Sequence, residues 1–554
     1  MEESKQTVTH SWQSDHPVTR RDVLKAMGLG GVGILLAACA QPQPGPTTAP
    51  PATAPATSAP PSAPAPTKAP AAAPTAAAKP AGGKLVFATK VDTPNLEPFQ
   101  EISDARMRRS CLTYDALVDW KDDLTIGPGL AESWEATGTK WVFHLRKGAY
   151  FSNGKEADGD DVIYSIKLAQ NSAGKGFYSA ISDIKATDKY TVEMTLSKPS
   201  SALLAALGGR YSYIIPKDGD KQNDLKQTAV GTGPYTVKEF VQNQRLVLQK
   251  NPKSWHAPNV QLDELTIRII PDEANIVAGL RTGEVNVALF EDSKNYLLFK
   301  DDPNLVAGRA KALRWDVLDF PVSVAPFDNV KLRQAISVAL DRESIMAAAI
   351  GGLGTLVGGY PAALWGAMSN EQNPFFKRDV AKAKQLLQEG GITTPLKLTL
   401  RSIVGYSALN AAAQVIVENL KEIGITAEIA PVDLGIWIDD FSNRKMPTFT
   451  MNSWAGFLDP DMLFYNHLHK QPEGQDFRRW NNAEISALLD KGRTTLDRAE
   501  REKVYLQVQQ LVAEQCPWIP LYSADIITAQ TKAVKNFNQH PTGYYHGLRY
   551  VGMG

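Results

Sequence analysis

Cysteine is scarce: the 554-residue chain has three. So few thiols allow no dense disulfide framework, and the fold must be held by packing. Net charge is absent, with 59 basic against 59 acidic residues. That removes the electrostatic reason to expect nucleic acid or an anionic membrane surface as partner. A spanning helix needs about 20 apolar residues, and the apolar run Met27 to Ala38 is too short for one. Histidines number eight. The body shows no G-x-S-x-G, no H-E-x-x-H, no Walker loop and no G-x-G-x-x-G opening a helix. An enzyme is therefore not expected. "GLGGVG" at residues 28–33 suggests a nucleotide loop only superficially, because it falls inside the N-terminal apolar run.

What is present is a large apolar fraction, 43% against 21% charged. That is enough to bury a sizeable core, and the length favours two or three lobes. Arg20 and Arg21 form a positive start. The glycine-rich apolar run and small residues before Cys39 follow, in the order of an export signal. "TRRDVLK" resembles the twin-arginine export motif, with Val23 where that motif often has Phe. "LAAC", Leu36 to Cys39, resembles a bacterial lipobox, which implies cleavage before Cys39 and lipidation of its thiol. Residues 1–38 are thus expected to be a signal. Residues 40–83 hold 13 of the 36 prolines and two charges, Lys68 and Lys79. Repeated proline blocks helix and sheet, so residues 39–83 read as a lipidated cysteine and a disordered tether. As polyproline II it would reach on the order of 100 Å. For Cys111 and Cys516, two buried thiols are favoured over a disulfide.

The body begins near Lys84. "GKLVFATKV" and "KWVFHLRKGAYF" alternate as strands, the second with Trp141, Phe143 and Leu145 on one face. Asp158 and Asp160 open a helical pattern of Val162, Ile163, Ile166 and Ala169. Helices ending at glycine and short strands then intermix to the C-terminus, which is an α/β pattern.

Several motifs lie in one order along this body. They are "GLAESWEATGTKWVFHLRKGAYFSNGKEADGDDVIYS" (residues 129–165), "GTGPY" (231–235), "KNPKSW" (250–255), "IPDEANIVAGLRTGEVNV" (270–287), "FDNVKLRQAISVALDRE" (327–343), "LDPD" (458–461) and "CPWIPLY" (516–522). Together they resemble family 5 of the extracellular solute-binding proteins, the dipeptide, oligopeptide and nickel class that serves ABC importers. The resemblance implies a two-lobe periplasmic-binding-protein fold (type II, peptide-binding cluster) with mixed sheets and a hinge. Lobe I would span residues 84–318 and return over 521–554, and lobe II would span 319–520. It implies a monomer outside the cytoplasmic membrane, anchored through Cys39. Its partners would be a small solute of the peptide class, and a permease and ATPase complex. No cofactor or metal is implied, and a nickel role is disfavoured because His467 and His469 cannot complete a metal shell. A ligand-presenting sensor of the same fold is the alternative.

The resemblance also directs attention to "SWAGFLDPD". Peptide-binding members often carry an ammonium-pairing Asp after the cleft tryptophan. Here Phe457 stands at that position and the segment is one residue shorter. Trp454, Ala455, Gly456, Phe457 and Asp459 are the candidate ligand residues. Trp454 serves as an aromatic wall or as core, and Asp459 pairs an amine or caps the next helix. Arg401 is the candidate for a ligand carboxylate, or else a solvent-facing arginine at a strand end. Tyr406 stacks on ligand or covers the core. Tyr114 is read as structural.

Overall fold

The computed structural model describes residues 82–91, 95–99, 108–172, 174–209, 211–454, 456–469 and 480–554. Arg20, Arg21, Cys39, the tether and Ala455 lie outside them.

The body is α/β and is built on three main sheets. A seven-stranded sheet runs in the order Leu305–Ala310, Ile526–Thr531, Val287–Phe290, Gly83–Thr89, Leu262–Ile269, Arg245–Lys250, Tyr235–Val241. Strand 83–89 pairs parallel with both 262–269 and 287–290. A six-stranded sheet runs Gly354–Leu356, Trp518–Ala524, Trp315–Asp319, Thr450–Trp454, Leu396–Ile403, Ile425–Val432. Its last three strands are parallel. A four-stranded antiparallel sheet carries the Lys140–Leu145 strand, with Trp141, Phe143 and Leu145 buried as its alternation requires.

The chain passes from the seven-stranded to the six-stranded sheet through residues 311–314 and returns at Asp525. The two crossings are tied together. Buried Asp525 accepts from Arg309 Nη2 at 2.5 Å and Lys311 Nζ at 3.2 Å. Ser523 Oγ sits 3.0 and 2.7 Å from the carbonyls of Ala312 and Arg314.

Local signals explain the elements. Asp158 caps the Gly159–Gln170 helix in a reciprocal capping box with Asp161. Asp497 caps Arg498–Gln515, and Cys516 ends it with φ +46°. Cys111 and Cys516 are both free and buried, and burial pushes each thiol up to about 12.

Motifs far apart in the chain meet in space. Buried Arg333 donates to the carbonyls of Phe327, Gln515 and Cys516, and buried Arg342 to those of Ser337, Phe376 and Pro520. Thus "FDNVKLRQAISVALDRE" fastens "CPWIPLY". Asp115 accepts from Thr232 Oγ1 (2.8 Å), Trp255 Nε1 (2.9 Å) and His256 Nε2 (2.9 Å), joining "GTGPY" to "KNPKSW". Tyr114 beside it is buried in the same core. The glycines of "GTGPY" let backbone touch backbone. A Cβ at Gly231 would lie 2.2 Å from the Thr113 carbonyl oxygen. Gly231→Ala is therefore expected to cost about 1–3 kcal/mol, read as a lowered urea midpoint. An unchanged midpoint would show that this contact relaxes freely.

Candidate functional site

Strand direction locates the site. Strand 305–310 runs into the first crossing, and 526–531 leaves the second. Strand 287–290 is antiparallel to 526–531, so its carboxyl end lies on the crossing side, as do those of the parallel strands 83–89 and 262–269. In the other sheet 315–319 leaves the crossing. Strand 450–454 is antiparallel to it, so its carboxyl end and those of 396–403 and 425–432 lie on the crossing side as well. Ligands of α/β sheets bind beyond the carboxyl ends of parallel strands. Both sheets present those ends to one region.

Trp454 closes its strand opposite Trp315. It is 7% exposed and packs on His467 (ring centroids 4.2 Å apart), Phe441 (5.8 Å) and Trp518 (6.1 Å). In this conformation it is a packed member of an aromatic cluster. Gly456 follows, where a Cβ would lie 2.6 Å from Leu313 Cβ in the crossing segment. Phe457 is half-buried over the same cluster.

Asp459 takes the capping position. It is the N-cap of the Pro460–Leu468 helix and accepts from Asp461 N at 2.9 Å, with Pro460 at the first turn. Its two oxygens also receive Arg501 Nη1 (2.9 Å) and Nη2 (2.8 Å) in a buried fork. Asp461 is paired likewise, with Arg493 Nη2 at 2.6 Å and Tyr505 hydroxyl at 3.1 Å. The Arg493 guanidinium lies 3.2 Å from the Tyr465 ring centroid.

Arg401 is within strand 396–403 and is buried, not solvent-facing. Its Nη1 meets Asp440 Oδ2 at 2.8 Å and Met446 Sδ at 3.3 Å. Tyr406 precedes the Ser407–Lys421 helix and is exposed. His467 packs on Trp454, and His469 Nε2 meets Asp490 at 3.1 Å. Among the described residues no group of three His, Cys, Asp or Glu side chains forms a metal site.

The two halves already touch. Ser201 N and Oγ donate to the Arg493 carbonyl, each at 2.9 Å. Beside that contact a small crevice is lined by Phe177, Ala180 and Ser200 on one side and Asp461, Met462 and Arg493 on the other. Sequence reading missed Phe177, Ser201 and Arg493. Each is an ordinary residue in its own element, and only the docking of the four-stranded region against the Ala483–Thr494 helix brings them together.

Comparison with known proteins gives a consistent result. Residues 125–475 match the pattern described as bacterial extracellular solute-binding proteins, family 5 Middle. The chain is 30% identical to heme-binding protein A of Haemophilus influenzae, over 79% of this chain and 87% of that one. It is 26% identical to the dipeptide-binding protein of Escherichia coli, over 78% and 88%. The fold matches the periplasmic binding protein DppA from Helicobacter pylori in complex with peptide STSA, with TM-score 0.74 and 26% identity over 85% of this chain and 98% of that one. AgaA from A. tumefaciens R10, in complex with agropinic acid, matches with TM-score 0.74 and 26% identity over 85% and 99%.

Proposed function

The chain belongs to family 5 of the bacterial extracellular solute-binding proteins, and on that premise we propose that it captures a peptide or related small solute between two lobes and delivers it to an ABC importer. The observation that carries this reading is topological. Two sheets, linked by chain crossings at 311–314 and 525, both open their parallel-strand carboxyl ends toward those crossings. The crossings act as the hinge. Lobe I is the seven-stranded sheet with the four-stranded region, and lobe II is the six-stranded sheet with its helices. A solute that touches both lobes favours the closed arrangement by the difference in its contacts with the two states.

Relatives that bind dipeptide and a tetrapeptide support the peptide class. Trp454 with Gly456 and Phe457, and Tyr406 across the strand ends, form the lobe II side of the site. Export through Arg20 and Arg21 and anchoring at Cys39 keep the protein on the outer face of the membrane, where tethering raises its effective concentration at the permease.

The test is thermal melting of the mature protein against a peptide panel. A ligand at 100 Kd adds about 2.7 kcal/mol to stability. With no shift from any member, the peptide class falls. For the anchor, Cys39→Ser in the native host should move the protein from the membrane to the soluble fraction, and retention at the membrane would count against lipidation there.

A further inference from the structure

Among the described residues lobe II buries the carboxylates of Asp316, Asp319, Asp459 and Asp461. Three of them have a partner. Asp459 holds Arg501, and Asp461 holds Arg493. Asp319, at the end of strand 315–319 away from the crossing, accepts from Asn452 Nδ2 at 3.1 Å. Asp316 differs. It is 7% exposed, and among the described residues no cation lies within ion-pair distance of its carboxylate. A buried carboxylate without a counter-ion is costly to keep.

Its position is that of a site residue. Asp316 stands one residue inside the crossing edge of its strand, with Ser453 opposite it on one side and Tyr522 on the other. The parallel pairing of Arg401 with Thr450 brings Val404 to the level of Ser453. Val404, Ser453, Asp316 and Tyr522 thus form a row across the sheet at the end that faces the crossing. The row grades from open to closed. Val404 is 59% exposed, Ser453 is half-buried, and Asp316 and Tyr522 are buried. A ligand group reaches Asp316 over Val404 and Ser453. The Tyr522 hydroxyl lies beside Asp316 and has no other hydrogen-bond partner among the described residues.

The charges nearby leave this carboxylate available. Exposed Arg314 donates Nε to Ser453 Oγ at 2.7 Å and stops short of Asp316. Water screens its charge, whereas the buried carboxylate is screened much less. Arg309 and Lys311 in the same crossing are taken by Asp525. Burial holds the Asp316 carboxyl above its usual range, although Arg314 and the hydroxyls of Ser453 and Tyr522 pull it down. The loop after Trp454 offers no free carboxylate, because Phe457 is apolar and Asp459 is occupied.

We infer that Asp316 is the counter-ion for the ligand: it receives a primary ammonium, with the Ser453 and Tyr522 hydroxyl oxygens as further acceptors, and so selects solutes that carry a free amine. This rests on the solute-binding reading above, and it puts the ammonium on strand 315–319 rather than in the loop after Trp454. An ammonium has three donors and no acceptor. The row presents acceptors alone to it, in a place sheltered from water where charge-assisted hydrogen bonds are strong. An acylated nitrogen brings no charge and leaves Asp316 uncompensated.

The test measures binding of Leu-Tyr-Leu and N-acetyl-Leu-Tyr-Leu to the mature protein by calorimetry, in the parent and in Asp316→Asn. Asparagine keeps the shape and removes the charge. The free peptide should bind the parent about tenfold tighter than the acetylated one, or more. In Asp316→Asn the two should come within about twofold, with the acetylated peptide bound as in the parent. A variant that keeps the preference overturns the inference, and so does a parent without one. Equal losses for both peptides mark a structural role and overturn it too. If neither peptide binds the parent, the peptide reading fails, and thermal melting with tyramine against N-acetyltyramine decides for the amine site. A rise in melting temperature with tyramine alone, absent in Asp316→Asn, upholds Asp316. Any other result overturns it.

Discussion

Replacing Arg501 by methionine is expected to lower folding stability by about 3–5 kcal/mol. Arg501 and Asp459 are both buried, and among the described residues the fork between them is the only ion pair on the Asp459 oxygens. Methionine fills similar volume but leaves a carboxylate in an apolar surround, two residues from the equally buried Asp461. The remaining cation, Arg493, is already bound to Asp461. Arg501 also donates Nε to the Gly492 carbonyl at 3.0 Å and lies over the Trp365 ring, so packing is lost as well. The double variant Arg501→Met with Asp459→Asn should recover much of the loss. Asparagine is neutral and still caps a helix. The readout is the urea midpoint of each variant. A single variant within 1 kcal/mol of the parent, on the order of an exposed pair's worth, would mean that Asp459 reaches water. Because Asp459 anchors the loop that follows Trp454, the single variant should also weaken ligand binding, and the double variant should restore it.

Acidification is the second large effect, and its seat is the C-terminal segment. His540 is fully buried. Its Nε2 faces the Lys121 carbonyl at 3.1 Å and its Nδ1 faces Thr542 Oγ1 at 2.6 Å. Burial, then the neighbouring His546, pushes its pKa down to about 3. In the unfolded chain a histidine titrates near 6.5. The unfolded state therefore takes up a proton as pH falls through 6.5 while the native state does not until about 3. Stability is fully present above 6.5 and is lost progressively toward 3. The slope is about 1.4 kcal/mol per unit, or roughly 2–3 kcal/mol between pH 7.5 and 4.5. His546 is lowered by burial and by Arg549 and acts in the same sense. Asp316 and Glu273, raised by burial, act in the opposite sense nearer their own range. The difference between parent and His540→Gln isolates the term. Urea midpoints against pH should be flatter in the variant. Equal slopes, or an NMR titration placing His540 above pH 5, would refute the assignment.

The same segment shows how distant sequence is used. Burial alone would raise the Asp119 carboxyl, but Arg549 and His546 outweigh it and hold it well below the usual range. Asp119 follows the strand-forming Val118, and Arg549 stands more than 400 residues later. Nothing in the spacing of either residue announces the other.

Some features were legible because they are local. A helix start is a short-range hydrogen-bond pattern, so Asp158 could be read directly and the structure has it as a cap. Alternation in 140–145 likewise declares which side is buried. The family was legible because its motifs are runs of such local signals in a set order, and the α/β body follows from their alternation. The site residues were legible only as candidates. Asp459 and Arg401 each had two readings, and the choice depended on partners 42 and 39 residues away, Arg501 and Asp440. Trp454 was marked as an aromatic at a strand end. That it packs on His467 and Trp518 depends on how three elements converge.

By itself, then, the sequence determined the α/β class, the family, the caps and the absence of a disulfide framework, because each rests on residue type and short spacing. Only the tertiary structure decided which charges remain available to a ligand. Ion pairing is a through-space property, and a carboxylate in the chain carries no mark of whether an arginine has already reached it.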